Sequence, residues 1–362
     1  FNFNFIKKIK KIFFPFYKNK NLKFVFEKLQ DGFPIEDRKA MFVGGCVRKY
    51  LSNQEIDDID IATSLTSDQI KEKFKDTEFN IIDSGIKHGT VTLVSSELKL
   101  ELTTLRKDVK TDGRHAEIEY TGDWQEDSNR RDFTINSIYL DINGKIFDPQ
   151  LGVSDLKSRN VRFIGDPQKR IEEDYLRIIR FIRFSLDYES EISKTNAKAI
   201  KLNLDGIKKI SKERIFKELK KILRLPQIVH LNKDENLKII FSQIFPEMRN
   251  IERLERLSQI SNKSKLSVET LLAIMLVDGK DNHEYFSHKY NISNILKDNL
   301  NLMAGNFIKV LSEKDFFQKN IKKNIYYYGK EHLKALNILY FSSTKKINKE
   351  KFLNNLNQIK KV

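Results

Sequence analysis

The hydrophobic period of this 362-residue chain changes near residue 150. Before that point, short runs rich in β-branched residues carry the apolar positions: AMFV, DIDIAT, FNIID, GTVTLVSS and LKLELTTL. After it, apolar residues recur three and four apart, as in EEDYLRIIRFIRFSLDY, SKERIFKELKKILRL, NIERLERLSQI and VETLLAIMLV. A period of two buries one face of a strand, and a period of 3.6 buries one stripe of a helix. The pattern therefore predicts an α/β N-terminal head followed by an all-α remainder, with Pro226 and Pro246 as breaks. VRKYLS and SDQIKEKFKD are the helices expected within the head. The polar stretch RKDVKTDGRHAEIEYTGDWQ is long enough to be a mobile functional loop.

Charge narrows the partner class. The net charge is +16. Residues 1–30 hold eight Lys and one Glu, residues 301–362 hold thirteen Lys and four acids, and the middle sums to zero. Such ends suit a polyanion, although solvated lysines give the same count. The first twenty residues contain no acid and are expected to be a weakly ordered extension; a mitochondrial transit peptide would be richer in Arg and Ser. The single cysteine, Cys46, excludes an internal disulfide and a Cys-based zinc site. No run of about 18 apolar residues offers a membrane span, so no stable membrane insertion is expected.

Several short motifs carry chemistry. Gly44-Gly45 closes a strand and leads into a helix bearing Arg48. Glycine lets a backbone approach a phosphate, but a Gly pair is also an ordinary tight turn. Asp58-Ile59-Asp60 puts two carboxylates on one face of a strand, where they repel unless a divalent cation joins them. Asp57 has the opposite parity, and Glu101, on the strand LKLEL, is a looser third candidate. Arg130-Arg131-Asp132, continuing to Asn136, offers guanidinium forks for phosphate and an acceptor for a ribose hydroxyl; a surface ion-pair cluster reads the same way. Asp174 and Arg177, three apart, should share a helical face, and Arg177, Arg180 and Arg183 repeat that spacing among apolar residues. Such a ladder suits an enclosed polar cleft better than an open surface. Tyr326-Tyr327-Tyr328, beside lysines, reads as partly core rather than as a stacking platform.

Together these stretches resemble the class II tRNA nucleotidyltransferases, the CCA-adding enzymes of the tRNA nucleotidyltransferase/poly(A) polymerase family. The matching segments are 43–48, 58–63, 87–91, 112–117, 130–136 and 173–183, with a later helix start at Ser211-Lys212-Glu213-Arg214. They cover about residues 40–220 in family order. One departure is Lys49, where the family usually has Asp; it reverses a charge beside the triphosphate.

The resemblance implies a small mixed β-sheet in the head. It divides the chain into a basic extension (1–35), a nucleotidyltransferase head (36–150), a helical neck with a nucleobase-selecting helix (151–225), and a tRNA-binding body and tail (226–362). It implies template-independent addition of CCA to the 3′ end of tRNA from CTP and ATP, with release of pyrophosphate. Asp58 and Asp60 would hold two Mg²⁺. Gly44, Gly45, Arg48, Arg130, Arg131, Asp132 and Asn136 would bind the nucleotide, and Asp112 and Arg114 would lie in a flexible loop. Asp174 would accept from the exocyclic amine of C or A while Arg177 donates to the ring nitrogen, with Arg180 and Arg183 completing the site. The alternatives are a poly(A) polymerase, a CC- or A-only enzyme, and a non-catalytic RNA-binding protein. The Lys/Asn/Ile bias points to a bacterial cytoplasm rather than a mitochondrion.

Overall fold

The computed structural model describes residues 15–85, 89–111, 116–260, 266–313 and 315–361. Contacts divide the chain between Asp174 and Tyr175 into two units. The division falls later than the head boundary read at residue 150, because two helices beyond it belong to the first unit.

In the first unit the described residues form a seven-stranded sheet and a two-stranded ribbon. The strands are β1 (Ala40–Val43), β2 (Ile59–Thr63), β3 (Asn80–Gly85), β4 (Thr90–Val94), β5 (Lys99–Thr104), β6 (Arg106–Thr111), β7 (Ala116–Tyr120), β8 (Tyr139–Leu140) and β9 (Ile146–Phe147). The sheet order is β3-β4-β5-β2-β1-β8-β9. It is mixed: β2 runs parallel to β5, in a register that sets Asp60 beside Glu101, and β1 runs antiparallel to β2 and β8. β6 and β7 form an antiparallel ribbon. The polar stretch from Arg106 is therefore strand pairing over its described residues, not a mobile loop. Its alternating cross-strand partners, such as Lys107 with Glu119 at 3.3 Å, supply the reason. Asp112 and Arg114, like Lys87 and His88, lie outside the described residues.

After a single helical turn at Pro15–Lys18, the α-helices of this unit are α1 (Lys20–Gln30), α2 (Gly45–Leu51), α3 (Ser67–Phe74), α4 (Trp124–Asn129), α5 (Gly152–Lys157) and α6 (Pro167–Glu173). α1 corrects the reading of residues 1–35 as a separate extension. Asn19 caps it, accepting from the amides of Asn21 and Leu22. Leu22, Val25, Phe26 and Leu29, spaced 3-1-3, pack into the same core as Phe42, Val91 and Leu102. Residues 1–14 lie outside the described part. α3 begins one residue earlier than its serine suggested: Thr66 and Gln69 close a capping box.

The second unit is helical throughout its described length. Its helices are α7 (Leu176–Asp187), α8 (Lys194–Asn203), α9 (Lys212–Leu223), α10 (Glu235–Ile244), α11 (Arg253–Leu257), α12 (Val268–Leu276), α13 (Asn282–Tyr290), α14 (Asn294–Ser312), α15 (Ile321–Tyr328), α16 (Lys330–Ser343) and α17 (Lys349–Lys361). Ser211 caps α9 through the Arg214 amide. Pro226 opens a 3₁₀ segment after α9, and Pro246 follows the end of α10. α12 is buried from Thr270 to Leu276. The triple tyrosine is not core: no residue of α15 is buried, and Tyr326 and Tyr327 are 84% and 65% exposed. Among the described residues, no helix is long and apolar enough to cross a membrane.

Candidate active site

Carboxylates gather where β2 meets β5. Asp58 stands one residue before β2, and Asp60 lies inside it. The sequence reading puts both within the strand; because Asp58 precedes it, only Asp60 has a ladder partner. The charges of Glu101 and Asp58 both act on Asp60. Burial, then the Glu101 charge, pushes the Asp60 carboxyl up to about 6, against the pull of Arg131 and Arg48. Gly44, at φ +73°, turns β1 into α2 beneath this carboxylate. A Cβ at Gly44 would stand 3.5 Å from Asp60 Oδ2. The backbone of the glycine turn and the acid are thus neighbours. Cys46, buried behind them, donates its thiol to the Val43 carbonyl at 3.3 Å.

The donor set fits a hard divalent cation. Three repelling acids with one raised carboxyl are stabilised by such an ion, and Mg²⁺ is commonly held by one or two carboxylates plus substrate phosphates. Among the described residues, no three His, Cys, Asp or Glu side chains are gathered closely enough to hold a metal alone. The remaining ligands would have to come from substrate and water.

Lys49 pairs with a residue that the sequence reading left out of the site. Its Nζ pairs with Asp57 Oδ1 at 2.5 Å. Burial would raise the Asp57 carboxyl, but Lys49 outweighs it and holds that carboxyl low. The reversed charge at position 49 is therefore matched by an acid eight residues on.

The arginines are organised by a residue that the sequence reading did not single out. Asp127 of α4 is completely buried. Its Oδ1 accepts from Arg130 Nε at 2.8 Å. Its Oδ2 accepts from Arg131 Nη2 at 3.0 Å and from the Tyr139 hydroxyl at 2.7 Å. Burial alone would raise this carboxyl; Arg131 and Arg130 overcome that and hold it at about 2. The signal was present as an acid three and four residues before two arginines, the spacing of helical ion pairs. From the other side, Arg170 Nη2 of α6 donates to the carbonyls of both Arg130 and Arg131 and its Nη1 to Glu173. Arg130 and Arg131 are thereby fixed in both side chain and backbone.

Arg48, Asp132 and Asn136 form one chain of hydrogen bonds. Arg48 Nη1 donates to Asn136 Oδ1. Asn136 Nδ2 donates to Asp132 Oδ1 at 2.9 Å, which also takes the Phe133 amide at 2.8 Å. Arg48 and Asn136 are buried. The 3₁₀ turn Thr134–Asn136 is held from below by α5: Thr134 Oγ1 donates to Asp155 Oδ2 at 2.6 Å, and Gly152 touches the Thr134 carbonyl so closely that a Cβ would lie 2.1 Å from its oxygen.

In the second unit, α7 is buried except for Arg177, Arg180, Arg183 and Asp187, which are half-buried. At 100° per residue these four fall within one arc of the helix. The arginine stripe is thus real and partly enclosed. Glu218 of α9, buried and unanticipated, accepts from Arg183 Nε at 2.9 Å and Lys221 Nζ at 2.8 Å. Burial would raise its carboxyl; Arg183 and Lys221 hold it low. The helical reading of Asp174 fails. It follows α6 with extended dihedrals, φ −153° and ψ 104°, and α7 begins only at Leu176. EEDYLRIIRFIRFSLDY is two helices, so Asp174 and Arg177 are not an i, i+3 pair on one of them.

Residues 40–162 match the family described as poly A polymerase head domain. Residues 191–251 match the probable RNA and SrmB-binding site of polymerase A. Over these stretches the chain is similar to the tRNA nucleotidyltransferase/poly(A) polymerase family. The mitochondrial CCA tRNA nucleotidyltransferase 1 of Homo sapiens is 45% identical over 209 residues, which is 57% of this chain and 48% of that protein. The CCA-adding enzyme of Lactobacillus helveticus is 40% identical over 186 residues, 51% of this chain and 46% of that one. The chain spans about half the length of the curated relatives it matches. Among solved structures, the Bacillus stearothermophilus CCA-adding enzyme in complex with CTP has a TM-score of 0.71 at 24% identity, covering 92% of this chain and 80% of that one. A tRNA nucleotidyltransferase complexed with a primer tRNA and an incoming ATP analog has a TM-score of 0.71 at 22% identity, covering 89% and 96%. At those identities the likeness is one of fold.

Proposed function

We propose that this chain adds CCA to the 3′ end of tRNA, using CTP and ATP and releasing pyrophosphate. The observation that carries the reading is the Asp58–Asp60–Glu101 cluster, set over the Gly44 turn and within the fields of Arg48 and Arg131. The transferred group passes when the tRNA 3′-oxygen bonds to the α-phosphorus and the bond to the pyrophosphate oxygen breaks. Asp58 and Asp60 would hold Mg²⁺, with Glu101 adding negative charge beside them. When bound, that metal supplies Lewis-acid stabilisation of the phosphoryl oxygens and a more acidic 3′-hydroxyl. The Gly44-Gly45 backbone gives the triphosphate room. Arg130 and Arg131, immobilised by Asp127, offer preorganised positive charge to it.

Base choice is assigned to Asp174 and Arg177 on chemistry. A carboxylate accepts from the amine of C or A, and a guanidinium donates to the ring nitrogen. Uracil and guanine reverse both partners. Arg180 and Arg183 add charge for the nucleotide, and the lysine-rich C-terminal helices supply phosphate contacts to tRNA. The Lys/Asn/Ile bias supports a bacterial cytoplasm over a mitochondrial matrix, although relatives come from both settings.

The test is incubation of a tRNA transcript lacking its 3′ end with Mg²⁺ and CTP, ATP or both, sized at single-nucleotide resolution. Two C followed by one A, abolished in Asp58→Ala/Asp60→Ala, is the expected product. A long A tail would assign a poly(A) polymerase, and arrest after CC would assign a partial enzyme. tRNA binding with no product would leave an RNA-binding protein.

A further inference from the structure

α15 has two faces of opposite character. Ile321, Asn324, Ile325 and Tyr328 are half-buried, and Lys322, Lys323, Tyr326 and Tyr327 are exposed. The second set spans about 140° of the helix, with each lysine one turn before a tyrosine. Tyr328 anchors the inner face by accepting from Lys309 Nζ of α14 at 3.1 Å, and Asn324 donates to the Phe316 carbonyl at 3.1 Å. Among the described residues, the outer tyrosines meet only each other's rings and that of Tyr328. The two outer rings meet edge to face at 5.4 Å and 83°, so the edge of one covers a face of the other, and at 84% and 65% exposure the remaining ring faces lie open to solvent. Residues 319–330 hold four lysines and no acid.

We propose that this outer face of α15 is a stacking platform for unpaired RNA bases, with Tyr326 and Tyr327 taking the bases and Lys322 and Lys323 the flanking phosphates. One helical turn separates each lysine from its tyrosine, with about 5–6 Å between their Cβ atoms, a spacing that lets one nucleotide engage both side chains. Aromatic rings beside basic residues are how single-stranded nucleic acid is held without sequence preference. The local charge selects RNA over a protein partner, whose interfaces are depleted in lysine. The inference deepens the tRNA reading, but its test measures binding rather than nucleotide addition, so each can fail without the other.

Titrate the full chain with a labelled decauridylate and with a tRNA transcript lacking its 3′ end, across a range of salt. Tyr326→Ala/Tyr327→Ala should weaken decauridylate binding about 10-fold or more, since one stacked base is worth ~5- to 150-fold in affinity. Its salt dependence should stay that of the parent. Lys322→Gln/Lys323→Gln should lower the slope of log affinity against log salt by about 1.4, or ~0.7 per contact. Tyr326→Phe/Tyr327→Phe should bind like the parent, because the ring is what stacks. Parental affinity in the alanine variant, or equal loss in the phenylalanine variant, would overturn the proposal. So would parental RNA binding together with self-association that the alanine variant abolishes, which would make the face a protein contact. The four side chains are exposed, so circular dichroism should show an unchanged fold in every variant.

Discussion

The substitution Asp127→Asn tests whether one buried acid organises the arginines of the head. The new amide would keep an acceptor oxygen but set an NH₂ donor against a guanidinium, and Arg130 and Arg131 would lose the buried counter-charge that Asp127 provides. The carboxyl titrates at about 2 in the fold against an ordinary 3.8. At about 1.36 kcal/mol per unit, that is roughly 2.5 kcal/mol of stability at neutral pH. Breaking a buried charge pair typically costs ~3–5 kcal/mol, so the two routes agree within their spread. For a unit of this size the melting transition should fall by about 5–10 °C. Because the carboxyl is depressed in the fold, its contribution is whole above an ordinary carboxylate pKa and disappears as pH falls through about 2. The gap between parent and variant, followed by circular dichroism, should therefore narrow from pH 5 towards pH 2. Melting points within about 1 °C of each other at pH 7 would refute the anchoring role. A gap independent of pH would show that packing rather than charge is at work.

Other substitutions probe neighbouring parts of the argument. Asp60 has the opposite sign: its carboxyl is raised from 3.8 to about 6, so the fold loses stability as pH climbs between those values. Asp60→Asn should stabilise the head by ~1–3 kcal/mol at pH 7.5 in metal-free buffer while abolishing nucleotide addition; a destabilised variant would count against mutual repulsion of the acids. Gly152→Ala drives a Cβ to 2.1 Å from the Thr134 oxygen, and a melt should show ~1–3 kcal/mol lost through overpacking. Glu218→Gln removes the buried partner of Arg183 and Lys221. Urea denaturation should show about 2–4 kcal/mol lost from the helical unit, and an unchanged midpoint would mean that the two cations are held by other groups.

Much of the head was legible because its strands are short, β-branched and separated by clear breaks. The Gly44 turn followed from the glycine pair, and the nearness of Asp58 to Asp60 from their spacing, although only Asp60 lies in the strand. The pairing of Asp60 with Glu101 did not, since it depends on a parallel crossover that no local pattern specifies. Asp127 and Glu218 were missed for a related reason. A buried acid is recognised by what surrounds it, and in one dimension each looks like a surface residue of a charged helix. α1 was misread because its lysines drew attention away from Leu22, Val25, Phe26 and Leu29. The break at Asp174 left no proline or glycine to mark it. The exposed tyrosines of α15 reversed an expectation based on residue type alone, which ignores which side of a helix finds a partner.

The crossover between β2 and β5 bears on the order in which this head folds. β3 with β4 and β4 with β5 pair antiparallel with near neighbours in the chain, so both ladders need only short loops to close. The β2–β5 ladder must close over the whole of residues 64–98, a slower non-local step. That step also brings Asp60 against Glu101, whose charge helps to raise the Asp60 carboxyl. By loop length alone, the hairpins are expected to close before the β2–β5 ladder, so Asp60 meets Glu101 only when the crossover is complete.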